Sequence, residues 1–348
     1  MLATNKIRVL VVDDSAIVRK VLSDILSAQP DLEVVGTAPD PYIARDKILA
    51  FAPDVLTLDI EMPRMDGLTF LDKLMHHHPL PVIVISSLTQ SSTGKAMEAL
   101  SLGAVDVLAK PGGPYSVGDL REDLPRRVRA AARSRPARHQ PAAPAAAPPV
   151  KAQPGGITPQ HLIAIGASTG GTQAIEQILR SLPGGIPPIV IAQHIPAGFS
   201  AAFAERLNRV CSIEVREARG GEILLNGLAL IAPGNRHMLV EKSPTGWRTL
   251  LDDGPKVCYQ RPSVDVLFRS VAEAAGSRAA GALLTGMGSD GAEGLLAMLR
   301  AGAYTVAQDE NSSVVFGMPR EAIRLGAAQV VAPLDRVAAL LFSRTRAA

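Results

Sequence analysis

Two cysteines in 348 residues, Cys211 and Cys258, leave no room for a disulfide framework, and reduced thiols are expected. Cys258 reads first as a small, partly buried apolar side chain, with a reactive thiol as the alternative. Aromatic residues make up only 3% of the chain, so any packed core must be aliphatic. No apolar run is long enough to span a bilayer, and no charged segment followed by an apolar one opens the N-terminus. A soluble, cytoplasmic protein without membrane insertion is therefore expected. A net charge of +3 is too small to argue for nucleic acid as a partner.

Apolar side chains are abundant instead, at 47% of the chain, and the length suits two domains. Between Arg126 and Gly156 arginines, then prolines and alanines, dominate, and no apolar period survives. This stretch reads as a semi-stiff tether. Its arginines (Arg126, Arg127, Arg129, Arg133, Arg135, Arg138) read as a solvated face. Contact with nucleic acid or an acidic partner is the alternative, and no aromatic residues interleave for base stacking.

On both sides of the tether, short apolar runs alternate with helical periodicity. Before it, Ile7–Val12, Val55–Leu58 and Val82–Ile85 read as strands and Ala16–Ala28 as a helix. After it, Leu162–Ile165, Ile189–Ala192, Leu228–Ile231, Ala282–Leu284 and Ala303–Val306 read as strands. Thr172–Leu182, Val264–Ala275 and Ala292–Ala301 read as helices. Both halves are α/β, with parallel sheets covered on two faces.

In the first half, acidic residues stand at strand ends: Asp13 and Asp14 after the first strand, Asp59 after another. The carboxyl edge of an open parallel sheet is where ligands bind. Three carboxylates converging there repel one another unless a hard cation such as Mg²⁺ shares them. Ser86 follows the Val82–Ile85 strand, and Lys110 precedes Pro111 beyond another apolar stretch. A metal pocket, an exposed carboxylate, a cation and a hydroxyl together suit phosphoryl transfer onto a carboxylate. Any one of these aspartates alone reads as a helix cap.

Residues 6 to about 122 resemble a two-component receiver domain. The matching residues are Val12-Asp13-Asp14-Ser15, Asp59-Ile60-Glu61-Met62-Pro63, Asp66-Gly67, Ser86-Ser87 and Lys110-Pro111, in that order. The resemblance implies that Asp59 accepts phosphate from a histidine kinase. It also implies that Asp14 and Asp59 bind Mg²⁺ with Asp13 in support, and that Ser86 and Lys110 sense the phosphoryl group.

In the second half, Gly166-Ala167-Ser168-Thr169-Gly170-Gly171 follows an apolar strand directly. A serine between glycines on a strand-to-helix turn reads as a nucleophile, with the following helix start near its oxyanion. The same turn could instead cradle a phosphate or simply close a βα unit. A nucleophile needs a base and an orienting acid. Of the seven histidines, His76, His77 and His78 read as a solvated helix end, His139 lies in the tether and His161 starts a strand. His194 follows the Ile189–Ala192 strand and shares the carboxyl edge with Ser168, which favours it as the base. His237 precedes an apolar run and reads as a structural or substrate-side residue. Asp290 lies in the glycine-rich loop Thr285-Gly286-Met287-Gly288-Ser289-Asp290-Gly291 and could orient His194 or cap the next helix. Met287 could lend a backbone N–H to an oxyanion hole. The order serine, histidine, acid is not that of an α/β-hydrolase, where the histidine comes last.

That order and four motifs resemble the chemotaxis response-regulator protein-glutamate methylesterase family. The motifs are Ile165 to Gly171, Gln193-His194-Ile195-Pro196, Leu284 to Gly291, and Val315-Phe316-Gly317-Met318-Pro319. The resemblance implies a flavodoxin-like receiver with a parallel five-stranded sheet at 5–123, a linker at 124–157 and a doubly wound α/β methylesterase domain at 158–346. It implies hydrolysis of glutamate γ-methyl esters on chemoreceptors to glutamate and methanol, and deamidation of receptor glutamines. The implied catalytic residues are Ser168, His194 and Asp290, with Thr169 and Met287 near the oxyanion. The esterase is expected to need no cofactor. In this family the unphosphorylated receiver obstructs the active site.

Overall fold

The computed structural model describes residues 6–111, 117–134 and 160–343. Two compact units divide the chain, Met1–Pro141 and Ala142–Ala348.

The first unit alternates strand and helix throughout. Its elements are β1 (Ile7–Val12), α1 (Ala16–Ser27), β2 (Leu32–Ala38), α2 (Pro41–Phe51), β3 (Val55–Asp59), α3 (Gly67–His77), β4 (Val82–Ser86), α4 (Gln90–Ser101), β5 (Asp106–Ala109) and α5 (Val117–Ala132). The sheet is parallel, in the flavodoxin-like order β2-β1-β3-β4-β5. Strands β3 and β4 are buried along their whole length, as expected where helices cover both faces. Ser15, Asp40, Asp66 and Thr89 cap α1 to α4 with their side-chain oxygens.

One expectation is corrected here. The linker was expected from residue 124, but α5 continues to Ala132. Leu120, Leu124, Val128 and Ala131 recur at helical spacing and are all buried. Three supposed tether arginines are helix residues with fixed partners. Arg127 pairs with Asp106, both buried, Arg129 pairs with Asp31 at 2.7 Å, and Arg126 with Asp123 at 2.6 Å. Arg135, Arg138 and His139 lie outside the described residues.

The second unit contains β6 (Leu162–Ala167), α6 (Gly171–Ser181), β7 (Ile189–Gln193), α7 (Phe199–Val210), β8 (Glu214–Glu217), β9 (Leu228–Ile231), β10 (His237–Ser243), β11 (Gly246–Asp252), α8 (Val264–Ala275), β12 (Ala279–Leu283), α9 (Ala292–Arg300), β13 (Tyr304–Gln308), α10 (Met318–Arg324), β14 (Val330–Ala332) and α11 (Leu334–Ser343). Seven strands form a parallel sheet in the order β14-β13-β12-β6-β7-β9-β8. Strands added after β6 go to one side, and those from β12 onward go to the other. The switch point therefore lies between β6 and β12, and the carboxyl ends of strands at such a point are where open α/β sheets bind ligands. The antiparallel hairpin β10–β11 packs beside α8, and its Trp247 is fully buried, with Nε1 donating to Ala274 O at 3.1 Å. The core is otherwise mainly aliphatic, as the scarcity of aromatics requires. No helix among the described residues is long and apolar enough to cross a membrane.

Candidate functional site

Three successive strand ends of the second unit deliver the predicted triad. Ser168 follows β6, His194 follows β7, and Asp290 lies on the loop after β12. All three are buried. Gly170 takes φ 76°, a left-handed conformation that lets the chain turn from Ser168 straight into α6. A side chain at Gly166 would put its Cβ 2.1 Å from Val264 Cγ1, so α8 can approach β6 closely only at a glycine. The Ser168 turn is pinned to its neighbours. Ser168 N donates to Thr285 O at 3.0 Å, and Gln193 Nε2 donates to Ser168 O at 2.9 Å. The Thr285 hydroxyl donates to Thr169 O at 3.0 Å.

Asp290 and His194 form a tight pair, with Oδ2 2.7 Å from Nε2. Asp290 does not cap its own helix. That helix, α9, opens on Gly291 without a side-chain cap. Asp290 instead seals the N-terminus of α8. Its Oδ1 accepts from Ser263 Oγ at 2.7 Å and Asp265 N at 3.0 Å, and its Oδ2 accepts from Val264 N at 2.7 Å. Burial alone would raise its pKa. The His194 ring outweighs that together with Ser263 and the Val264 N–H, and the carboxyl is held below its ordinary range.

With Nε2 committed to Asp290, the other His194 nitrogen, Nδ1, is buried and has no partner among the described residues. A buried nitrogen left open in this way is positioned to exchange a proton with a reacting group. The Ser168 hydroxyl makes no hydrogen bond among the described residues. Such contacts commonly close only when substrate is bound. The helix α6 begins immediately behind Ser168, so its positive end faces the Ser168 turn. Of the two readings of His237, structural or substrate-side, its contacts fit the structural one. Its Nδ1 accepts from Ser263 N at 3.1 Å and its Nε2 donates to Pro255 O at 3.0 Å.

Sequence reasoning passed over the residues that support the triad. Ser263 is the cap of α8 and also a donor to Asp290. Asp265 lies beside Asp290. Burial, then the Asp290 charge, push its carboxyl up to about 6. The serine before an apolar helical run was a visible cap signal; its second partner was not. Cys258 is exposed rather than partly buried, and Cys211 is buried.

In the first unit Asp13, Asp14, Asp59 and Lys110 come together, while the Ser86 hydroxyl bonds to backbone oxygens of Ser87 and Ser92. Lys110 Nζ lies 2.8 Å from Asp59 Oδ2 and 3.0 Å from Asp13 Oδ2. Asp13 is not a helix cap, since Ser15 caps α1, and Asp13 Oδ1 accepts from Ser15 N at 2.9 Å. Carboxylate oxygens of Asp13, Asp14 and Asp59 lie within 4.8 Å of one another, with Asp14 exposed. Burial raises the Asp59 pKa to about 6, with Asp13 adding to the rise and Lys110 opposing it. Burial likewise raises Asp13. An all-oxygen set whose mutual repulsion a dication would relieve fits Mg²⁺. Ser86 is buried at the end of β4, with Oγ 3.3 Å from Ser92 O.

The CheB methylesterase family model matches residues 163–341, and the response regulator receiver domain model matches residues 9–119. This chain belongs to the CheB methylesterase family. A relative from Anaeromyxobacter dehalogenans, named protein-glutamate methylesterase/protein-glutamine glutaminase 4, is 56% identical over 96% of this chain and 93% of its own length. A Salmonella typhi relative named protein-glutamate methylesterase/protein-glutamine glutaminase is 51% identical over 99% of this chain and 98% of its own. The methylesterase catalytic domain of Thermotoga maritima CheB matches with 35% identity and a TM-score of 0.52. That match covers 53% of this chain and 97% of the Thermotoga domain. The Anaeromyxobacter and Salmonella relatives align over nearly their whole length, so both units of this chain have counterparts in them.

Proposed function

We propose that this protein is a cytoplasmic, phosphorylation-regulated hydrolase of chemoreceptor side chains. It converts glutamate γ-methyl esters to glutamate and methanol, and receptor glutamines to glutamate with release of ammonia. Ser168 is the nucleophile, His194 the base and Asp290 the orienting acid. The observation that carries this reading is the Asp290–His194 pair, anchored on the α8 N-terminus with Nδ1 left open.

The Ser168 hydroxyl proton passes to His194 Nδ1 as Oγ bonds to the ester carbonyl carbon. The carbonyl oxygen takes the negative charge beside the Thr169 backbone, just before α6, and the Met287 backbone on the loop after β12. The imidazolium then protonates the departing methoxide, and the C–O bond to it breaks. Water enters with His194 as base, the acyl-serine bond breaks, and Ser168 regains its proton. Asp290 stays ionised throughout and stabilises the cationic ring.

Asp59 is the phosphoacceptor, supplied by a histidine kinase, and Ser86 and Lys110 contact the added phosphoryl group. Asp13, Asp14 and Asp59 would hold Mg²⁺, whose charge offsets that developing on the phosphoryl oxygens. The added charge acts as a remote switch on the catalytic domain. The test is methanol release from methylated receptor, with and without a small phosphodonor. Ser168→Ala is expected to lower turnover by about 10⁴-fold or more. Turnover within tenfold of the unmodified enzyme would rule out Ser168 as the nucleophile.

A further inference from the structure

The turn at Cys258 and Tyr259 is a feature of the catalytic domain that the chemistry above leaves unused. Val257 and Gln260 exchange backbone hydrogen bonds of 3.0 and 2.8 Å, which makes the two residues between them a two-residue hairpin turn. Both have left-handed backbone, with φ 50° at Cys258 and 64° at Tyr259. Turns of this shape favour Asn-Gly or Asp-Gly, because a Cβ is penalised at positive φ. Neither residue here belongs to that set, so the chain carries a conformational cost at both positions.

The two side chains lie in contrasting surroundings. Cys258 Sγ lies 4.0 Å from Asp265 Oδ2 and within 4.8 Å of an Asp290 carboxylate oxygen, so the turn abuts the triad acid. Tyr259 is 80% exposed, more than any other large apolar side chain among the described residues. The base of the turn is clamped. Arg261 Nη1 donates to Asp253 O (2.7 Å) and Gly254 O (2.8 Å), and its Nη2 donates to Asn235 Oδ1 (2.9 Å). His237 Nε2 donates to Pro255 O at 3.0 Å. The ring is thus offered to solvent on a turn hydrogen-bonded at its base, next to the residue whose thiol lies against Asp290.

We propose that Tyr259 is a docking residue for the protein substrate, packing its ring on the receptor helix next to the scissile glutamate ester. The inference rests on the reading under Proposed function. An exposed aromatic side chain on a pre-organised mount is the kind of group that carries binding energy at protein contacts. A small ester, which reaches only Ser168, makes no use of it.

The test compares two substrates, methylated receptor and p-nitrophenyl acetate, on the full-length protein. Tyr259→Ala is expected to raise KM for methylated receptor about tenfold. Turnover of p-nitrophenyl acetate stays within twofold, and Tyr259→Phe restores receptor hydrolysis. The double variant Cys258→Asn with Tyr259→Gly installs the favoured turn residues, so its Tm should equal or exceed that of the parent while receptor KM still rises. Unchanged receptor KM in either variant overturns the proposal. So does an equal loss on both substrates, which would mark a purely structural turn. If the parent enzyme releases no methanol from receptor, the functional reading falls and the docking role falls with it. If the parent releases methanol and Tyr259→Ala matches it, only the docking role falls.

Discussion

Both units gather aspartates at the carboxyl ends of parallel strands, yet they treat the charge in opposite ways. In the receiver, Asp13 and Asp59 are buried side by side against one lysine, and burial with like-charge repulsion raises both pKa values. In the catalytic domain, Asp290 is buried as well, yet its pKa is lowered. The difference lies in the donors. Asp290 accepts from a ring N–H, a hydroxyl and two helix N-terminal amides. Asp59 has Lys110 and the Glu61 amide, the latter at 3.2 Å. The first arrangement makes a fixed anion against the His194 ring, suited to orienting it. The second makes a carboxylate cluster short of positive charge, suited to a dication and a phosphoryl group.

Asp290→Asn attacks this contrast most directly. An amide offers one acceptor oxygen and turns its NH₂ toward groups that are themselves donors. Turnover of methylated receptor should fall about 10³- to 10⁴-fold, with a lower Tm. A loss under tenfold in folded protein would mean that the anion is not what orients His194.

Asp59→Asn is the counterpart in the receiver. Stimulation by a small phosphodonor should disappear while the triad geometry stays intact. Undiminished stimulation would place the phosphoacceptor elsewhere.

A third measurement titrates the receiver cluster. With Asp59 near 6, protons compete with Mg²⁺ below that pH, so Mg²⁺ binding by calorimetry should weaken about tenfold from pH 7 to pH 5. Flat affinity over that range would show that Asp59 is not a ligand.

The smallest effect is expected at Asp265. Its folded pKa lies above its unfolded value, so it binds more protons when folded and costs stability as pH rises from about 4 to 6. Asp265→Asn keeps an acceptor for Gly294 N–H and removes a charge beside Asp290. Its Tm at pH 8 should exceed that of the parent by about 2–4 °C and converge with it near pH 4. A Tm gain that is equal at both pH values would point to packing instead of charge.

Much of the fold was readable from short patterns. The runs Ile7–Val12, Leu228–Ile231 and Val264–Ala275 coincide with β1, β9 and α8. These elements announce themselves because each has one buried face or two, and its period repeats locally. The end of α5 was missed because arginine reads as solvated until its partner is known, and Asp106 and Asp31 lie far away in sequence. The hairpin β10–β11 was missed for a similar reason. Glu241, Lys242 and Arg248 break up its apolar character, and only pairing with its partner strand makes it a sheet.

The sequence by itself determined the chemical groups and their order: Ser168, His194 and Asp290 at strand ends, and Asp13, Asp14, Asp59 and Lys110 at others. It also determined the two α/β units, because local periodicity encodes burial. The tertiary structure alone decided that Asp290 accepts from the first amides of α8 and does not cap α9, that Nδ1 is the open nitrogen of His194, and that Tyr259 stands in solvent on the turn whose Cys258 lies against Asp290. It also decided which aspartates are held as anions and which are short of positive charge. Charge state depends on burial and on donors supplied by residues distant along the chain, and no local pattern carries that information.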